Sequence, residues 1–223
     1  MNAYSYEQLL IQGGVNLNII KILLLIAAAG HILCGYCDCL LTYVPGGKKF
    51  DVKALSDNKK MAEAFAGMPL KNPLLSMLLG CLALFMCSAG YYGLYLWMKA
   101  YSEVTAVIML VSVALFLVFG VAHHVLCGVA EWIYIRMGMT VDARGAVVKL
   151  FKDTSVTMIA CYVGWLVFGI ALLMAVVTGR TDLPAWACVF NIVPLYLVTF
   201  PLRIGGMGNW CGAAMFLGLL LLI

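Results

Sequence analysis

Long apolar runs, each ended by a short cluster of glycine, proline, lysine or arginine, dominate the chain. A run of about 20 apolar residues, wound as a helix at 1.5 Å per residue, matches a hydrocarbon core of about 30 Å. On that basis residues 19–44 form a first span that stops at Pro45-Gly46-Gly47, and residues 73–98 form a second that opens at Asn72-Pro73. Asn72-Pro73 reads as a cap followed by proline in the first turn, where the missing N–H is harmless. The second span closes on Tyr91, Tyr92, Tyr95 and Trp97, read as an aromatic belt at the interface. A third span starts near Val104 and stays helix-like to Met137, longer than one crossing requires, so its last turns project into the headgroups. A fourth covers 155–177, a fifth 185–203 with a kink expected at Pro194 and Pro201, and a sixth 209–223. The remaining segments read as interfacial: a tail or short helix over 1–18, a short surface helix from Asp57 to Ala66, and a loop or amphipathic segment from Gly138 to Thr154.

The expectation is an all-α polytopic membrane helix bundle of six transmembrane helices, one integral membrane domain over 1–223. Composition agrees, with 65% hydrophobic and 11% charged residues, against about 25% charged in a soluble domain. Little chain is left for a soluble domain, and the expected partner is the lipid bilayer. The net charge of +4 arises from loop clusters and implies no nucleic acid. Loops 45–72, 136–154 and 203–208 hold eleven of the fourteen lysines and arginines, while Lys21, Lys99 and Arg180 lie on the other side. The positive-inside rule then predicts a cell-membrane protein with non-cytoplasmic N- and C-termini. Ile22 to Ile26 before Ala27-Ala28-Ala29 is too short for a signal-peptide core, so the first span is expected to be uncleaved. The nine cysteines lie almost wholly in apolar runs, where a thiol acts as a small hydrophobe, and no secreted disulfide framework is expected.

The most specific pattern is internal. Gly30-His31-Ile32-Leu33-Cys34-Gly35-Tyr36-Cys37-Asp38 aligns with His123-His124-Val125-Leu126-Cys127-Gly128-Val129-Ala130-Glu131, four of nine positions being identical. With Gly67-Met68, Gly138-Met139 and Gly206-Met207 each preceding an even-numbered span, the pattern predicts three tandem helical hairpins. The third lacks the His and acid and offers Asn191. Seven residues at about 100° each return to within about 20° of the start, so His31 and Asp38 share one face, as do His124 and Glu131. Cys34 and Cys127 fall between them, and Gly35 and Gly128 leave room for close helix approach. The two stripes are expected to face each other.

An ionisable group inside a span costs at least ~2.5 kcal/mol on insertion scales and therefore turns to the protein interior. His31, Asp38, His124 and Glu131, with His123, Cys34, Cys127 and Asn191, are accordingly the candidate binding or proton-relay residues. No resident metal is expected, because no surface shows the tight spacing of a known metal box, although two His, two Cys and two carboxylates would suit zinc. The Cys34-x-x-Cys37 pair lacks the surroundings of a redox motif. One function that fits is proton- or ion-coupled translocation of a small solute, with the chain acting as a homo-oligomer. Another is an intramembrane enzyme in which a His/acid pair moves a proton on a lipophilic, lipid or sterol-like substrate. In its mix of histidine, acids, asparagine and tryptophan the chain resembles sterol-isomerase-type membrane proteins; the likeness covers residue types only, carries over no residue, and names no cofactor. The chain also looks like small bacterial membrane proteins of unassigned function.

Overall fold

A computed structural model describes residues 16–45 and 48–223, so the expectations for residues 1–15 and for the Gly46-Gly47 stop lie outside it. Helix α1 (Leu17–Thr42) opens at Asn16, whose side chain accepts the Asn18 N–H at 2.9 Å. It runs into a two-residue antiparallel pairing of β1 (Tyr43–Val44) with β2 (Lys48–Lys49). A 3-10 turn (Val52–Ser56) leads to α2 (Asn58–Phe65), the short helix expected at 57–66. Its cap, Asp57, accepts the Lys60 N–H at 3.0 Å. That bond, aided by the nearby Lys60 and Arg144 charges, holds the Asp57 carboxyl below its ordinary range. Then follow α3 (Lys71–Lys99), α4 (Glu103–Arg136), α5 (Val141–Asp153) and α6 (Ser155–Val177).

Helices α1, α3, α4 and α6 are long and apolar enough to cross a membrane, and they mark the chain as a membrane protein. The 34 residues of α4 rise about 51 Å at 1.5 Å per residue, well beyond a hydrocarbon core. The segment expected as one kinked fifth span is instead three pieces: a 3-10 turn (Ala185–Phe190), α7 (Ile192–Thr199) and a 3-10 turn (Phe200–Leu202). Asn191 causes the first break. Its backbone is extended, and its side chain accepts the Val193 N–H at 2.9 Å, so a new helix starts there. Pro194 then falls in the first turn of α7, where it breaks no hydrogen bond. Helix α8 (Met207–Leu222) follows a turn through Gly206, whose φ of 72° is one that glycine adopts without strain.

The elements close a ring in the order α1, α3, α4, α6, α7, α8 and back to α1. Glycines set the close contacts. A Cβ on Gly30 would lie 2.8 Å from the Ala83 carbonyl oxygen of α3, and one on Gly164 would lie 2.6 Å from the Phe116 nitrogen of α4. The expected direct approach of the first and third spans through Gly35 and Gly128 is replaced by something else. Gly35 receives Trp210 of α8, and Gly128 receives Met77 of α3, so α3 stands between α1 and α4 for most of their length.

One half of the ring is filled by apolar side chains, among them Ile20, Leu24, Leu94, Met109, Phe168, Leu172 and Phe216. Tyr91 and Trp97, expected in the interfacial belt, belong to this core at 2% and 0% exposure, whereas Tyr92 is 50% exposed. Tyr91 lies on the inward stripe of α3 with Gly80, Leu84, Cys87 and Leu94, and its ring meets Phe116, Phe168 and Phe216 edge-on at 5.7, 4.9 and 5.0 Å. At the opposite end a separate cluster of Val44, Met61, Phe65, Met68, Tyr134 and Val147 docks α2 and α5 on the last turns of α4. Tyr134 donates to Asn58 Oδ1 at 3.0 Å, and Arg144 donates to the Leu55 and Ser56 carbonyls at 2.8 Å each. The lysine-bearing segment is thus a folded cap.

Replacing Arg144 by Ala removes two charge-assisted bonds to carbonyls that close the 3-10 turn, a loss of roughly 1–3 kcal/mol in a partly exposed setting. Limited proteolysis at Lys53, Lys59 and Lys60 should quicken while the helical circular dichroism is unchanged. Unaltered cleavage would show that the cap does not depend on this residue.

Candidate functional site

The half of the ring facing the cap is hollow. A cavity of about 430 Å³ is lined by His31, Cys34 and Asp38 of α1, His123, His124, Cys127 and Glu131 of α4, and Asn209 of α8. It reaches Thr42, Phe50 and Ile204 at the cap end, and Tyr162, Trp165 and Tyr196 form its wall where α6 meets α7.

Seven of the eight residues singled out in the sequence line this cavity. The eighth, Asn191, lies elsewhere: its amide donates to the Gly169 carbonyl at 2.9 Å and its oxygen caps α7.

A chain of hydrogen bonds threads the polar side chains. Asn209 Nδ2 donates to Asp38 Oδ2 at 2.7 Å, which leaves Asn209 Oδ1, 3.0 Å from His31 Nδ1, to accept. His31 therefore carries its proton on Nδ1, and its Nε2 accepts from the Tyr91 hydroxyl at 3.1 Å. The other carboxylate oxygen, Asp38 Oδ1, is 3.4 Å from His124 Nδ1. His124 Nε2 lies 3.0 Å from the Ser76 carbonyl and 3.2 Å from Ser76 Oγ, which itself donates to the Cys37 carbonyl at 3.0 Å. A carbonyl can only accept, so Nε2 carries a hydrogen. Nδ1 is then the nitrogen turned to Asp38 Oδ1, and the two face each other as an ion-pair contact.

Sequence position explains how α8 enters. Asn209 is the third residue of α8, and a Cβ on Gly206 would lie 3.1 Å from Asp38 Cβ, so the first turn of α8 abuts the carboxylate. The positive end of the helix dipole favours that charge by about 0.3–1 kcal/mol. Two further glycines make the histidine seats. A Cβ on Gly212 would stand 2.6 Å from His31 Cε1, and one on Gly80 would overlap His124 Nε2. His31 is also stacked on Phe216 at 5.5 Å.

Glu131 is 8% exposed, and among the described residues its Oε2 has no hydrogen-bond partner. His123 turns to Cys127 Sγ at 3.6 Å and Thr157 Oγ1 at 3.5 Å. Cys34, Asp38 and His124 form a mixed S, O and N cluster whose donor atoms all lie within 4.8 Å of one another. Linear spacing could not reveal it, since its members come from two helices. Asn209, Tyr91, Ser76, Gly80 and Gly212 were also missed, yet Asn209 is visible as an amide in the first turn of an apolar helix just after a Gly-Gly turn.

The glycine seats can be tested by adding one methyl. Gly80→Ala improves helix propensity by about 1 kcal/mol, but overpacking against His124 costs about 1–3 kcal/mol. Its unfolding midpoint in detergent should fall below that of Gly120→Ala, where the nearest atom, Cys161 Sγ, is 3.4 Å from the new Cβ. Equal midpoints would mean that His124 does not sit over Gly80.

No curated protein and no solved structure matches the chain. Residues 11–223 match the family described as "Family of unknown function (DUF6796)", and over that length the chain belongs to this family.

Proposed function

We propose that the chain is a proton-coupled carrier that binds a small solute in the cavity and exchanges protons with it through Asp38, His124 and Glu131. One observation carries this reading: the series Tyr91–His31–Asn209–Asp38, joined by hydrogen bonds, meets the His124–Ser76 pair through the 3.4 Å contact of Asp38 with His124 and borders a cavity that extends to the lysine-rich cap. Ionisable groups lining a cavity between membrane helices are the usual parts of proton relays. The apolar half of the ring closes the other end, as a carrier open to one side requires. In this reading six segments cross the bilayer. Nine 3-10 residues and eight α-helical residues in 185–202 rise roughly 30 Å together, and the breaks at Asn191 and Thr199 supply flexion for alternating access. The 31–38 and 124–131 matches are the traces of tandem hairpins, the cap faces the cytoplasm with both termini opposite, and the chain works as a homo-oligomer.

A second reading, an intramembrane enzyme on a lipophilic substrate, draws on the cavity wall at Tyr162, Trp165 and Tyr196, where α6 and α7 touch only lightly and Tyr162 is 56% exposed. A lipid-like substrate would enter there, and His124 with Asp38 would move its proton.

In proteoliposomes, Asp38→Asn and Glu131→Gln should each reduce solute-driven proton flux at least tenfold while leaving the detergent-solubilised helical content intact. Flux equal to the parent in both variants would remove the carrier reading. Topology has its own measurement: in a cysteine-free background, cysteines placed at Lys59 and Ile223 should react with an impermeant maleimide from opposite faces. Reaction from one face would overturn the six-span orientation.

A further inference from the structure

We infer that Cys34, Asp38 and His124 form a binding site for a borderline-soft divalent metal ion of the zinc and cobalt class, which is the solute carried; this rests on the carrier reading above. The donor set is one thiol, one carboxylate and one imidazole, with Cys34 Sγ, a carboxylate oxygen of Asp38 and a ring nitrogen of His124 within 4.8 Å of one another. Around a tetrahedral ion with bonds of about 2.0–2.3 Å, donors stand ~3.3–3.8 Å apart. Asp38 Oδ1 and His124 Nδ1 already meet that spacing at 3.4 Å, so Cys34 alone has to close in. Hard cations such as magnesium or calcium prefer all-oxygen shells, which a thiol and an imidazole do not offer.

Cys34, Asp38 and His124 all line the cavity, and three protein donors would leave the fourth position of a tetrahedral ion for another ligand. The surroundings fit a cation. Asn209 Nδ2 grips the second oxygen of Asp38 at 2.7 Å, and the Ser76 carbonyl and hydroxyl hold the far nitrogen of His124, the kind of outer support that orients metal ligands. A separate observation points the same way: among the described residues Glu131 Oε2, buried on the same cavity, has no hydrogen-bond partner, so it is an acceptor that a cation could engage. Other titratable side chains facing the cavity are His31 from α1, His123 and Cys127 from α4, and Cys161, Tyr162 and Tyr196 from the far wall.

Metal ligands bind deprotonated. Loading M²⁺ would displace the Cys34 thiol proton to solvent, because the thiolate is the ligand, and no electron moves. With M²⁺ bound by a thiolate, a carboxylate and a neutral imidazole the loaded site carries no net charge.

The test uses the full chain in detergent with Co²⁺ as the only probe. One Co²⁺ per chain should bind with a thiolate-to-cobalt charge-transfer band, Zn²⁺ should displace it, and an indicator dye should record proton release on binding. Cys34→Ser should abolish the band and Asp38→Asn should weaken binding at least tenfold, whereas Cys87→Ser, in the apolar core, should change neither. X-ray absorption on the cobalt-loaded parent should find one sulfur with nitrogen and oxygen in the shell, a reading that does not depend on any variant folding. A sulfur-free shell, no cobalt binding, or a band that survives Cys34→Ser overturns the site. Proteoliposomes separate the two claims: proton-coupled flux without metal binding sinks the metal site and leaves the carrier, and metal binding without flux does the reverse.

Discussion

Asp38 is a carboxylate on an apolar helix, and most of the cap-side structure follows from the need to compensate it. A buried unpaired charge is driven to find a partner or give up its ionisation. Here the partners come from two helices: Asn209 in the first turn of α8 on one oxygen, and the His124 imidazole of α4 on the other. Because Asn209 and His124 sit on helices that are not neighbours in the ring, satisfying one carboxylate fixes α8 and α4 relative to α1. Breaking either contact leaves the rest of the network with mismatched donors, since the Asn209 orientation determines the His31 tautomer.

How far this was legible in the sequence depended on whether the physics was local. Apolar run length located α1, α3, α4 and α6 closely, and the short surface helix near 57–66 was signalled by its Asp57 cap. Runs cannot show where a helix restarts, so the cap at Asn191 turned an expected span into three pieces. Seven-residue spacing put each histidine and acid on one face, and those faces do border one cavity. What the spacing could not supply was the intervening helix. Gly35 and Gly128 looked like a mutual contact because both repeats carry them, yet each serves a different neighbour, Trp210 and Met77. Tyr91 and Trp97 looked interfacial because they cluster near a helix end with Tyr92 and Tyr95. Their burial depends on which side of α3 faces the ring, and in a nearly uniformly apolar helix no polarity marks that side.

The two repeats have diverged in use. His31 is enclosed, hydrogen-bonded at both nitrogens and stacked on Phe216, while its counterpart His124 holds the ion pair at the cavity. Asp38 has a partner at each oxygen, whereas its counterpart Glu131 has none at Oε2 among the described residues. The same seven-residue motif thus yields one anchored station and one open one, and what distinguishes them is α8, which reaches α1 with Asn209 and has no equivalent against α4.

The aromatic packing around Tyr91 has an electrical consequence. On the carrier reading, a water-filled cavity would sit near the potential of the compartment it opens to. The transmembrane voltage would then fall mainly across the apolar half of the ring, where Tyr91, Phe116, Phe168 and Phe216 pack, rather than across the full ~30 Å of bilayer. A charge crossing that half would do nearly all of the electrical work, about 2.3 kcal/mol per unit charge per 100 mV.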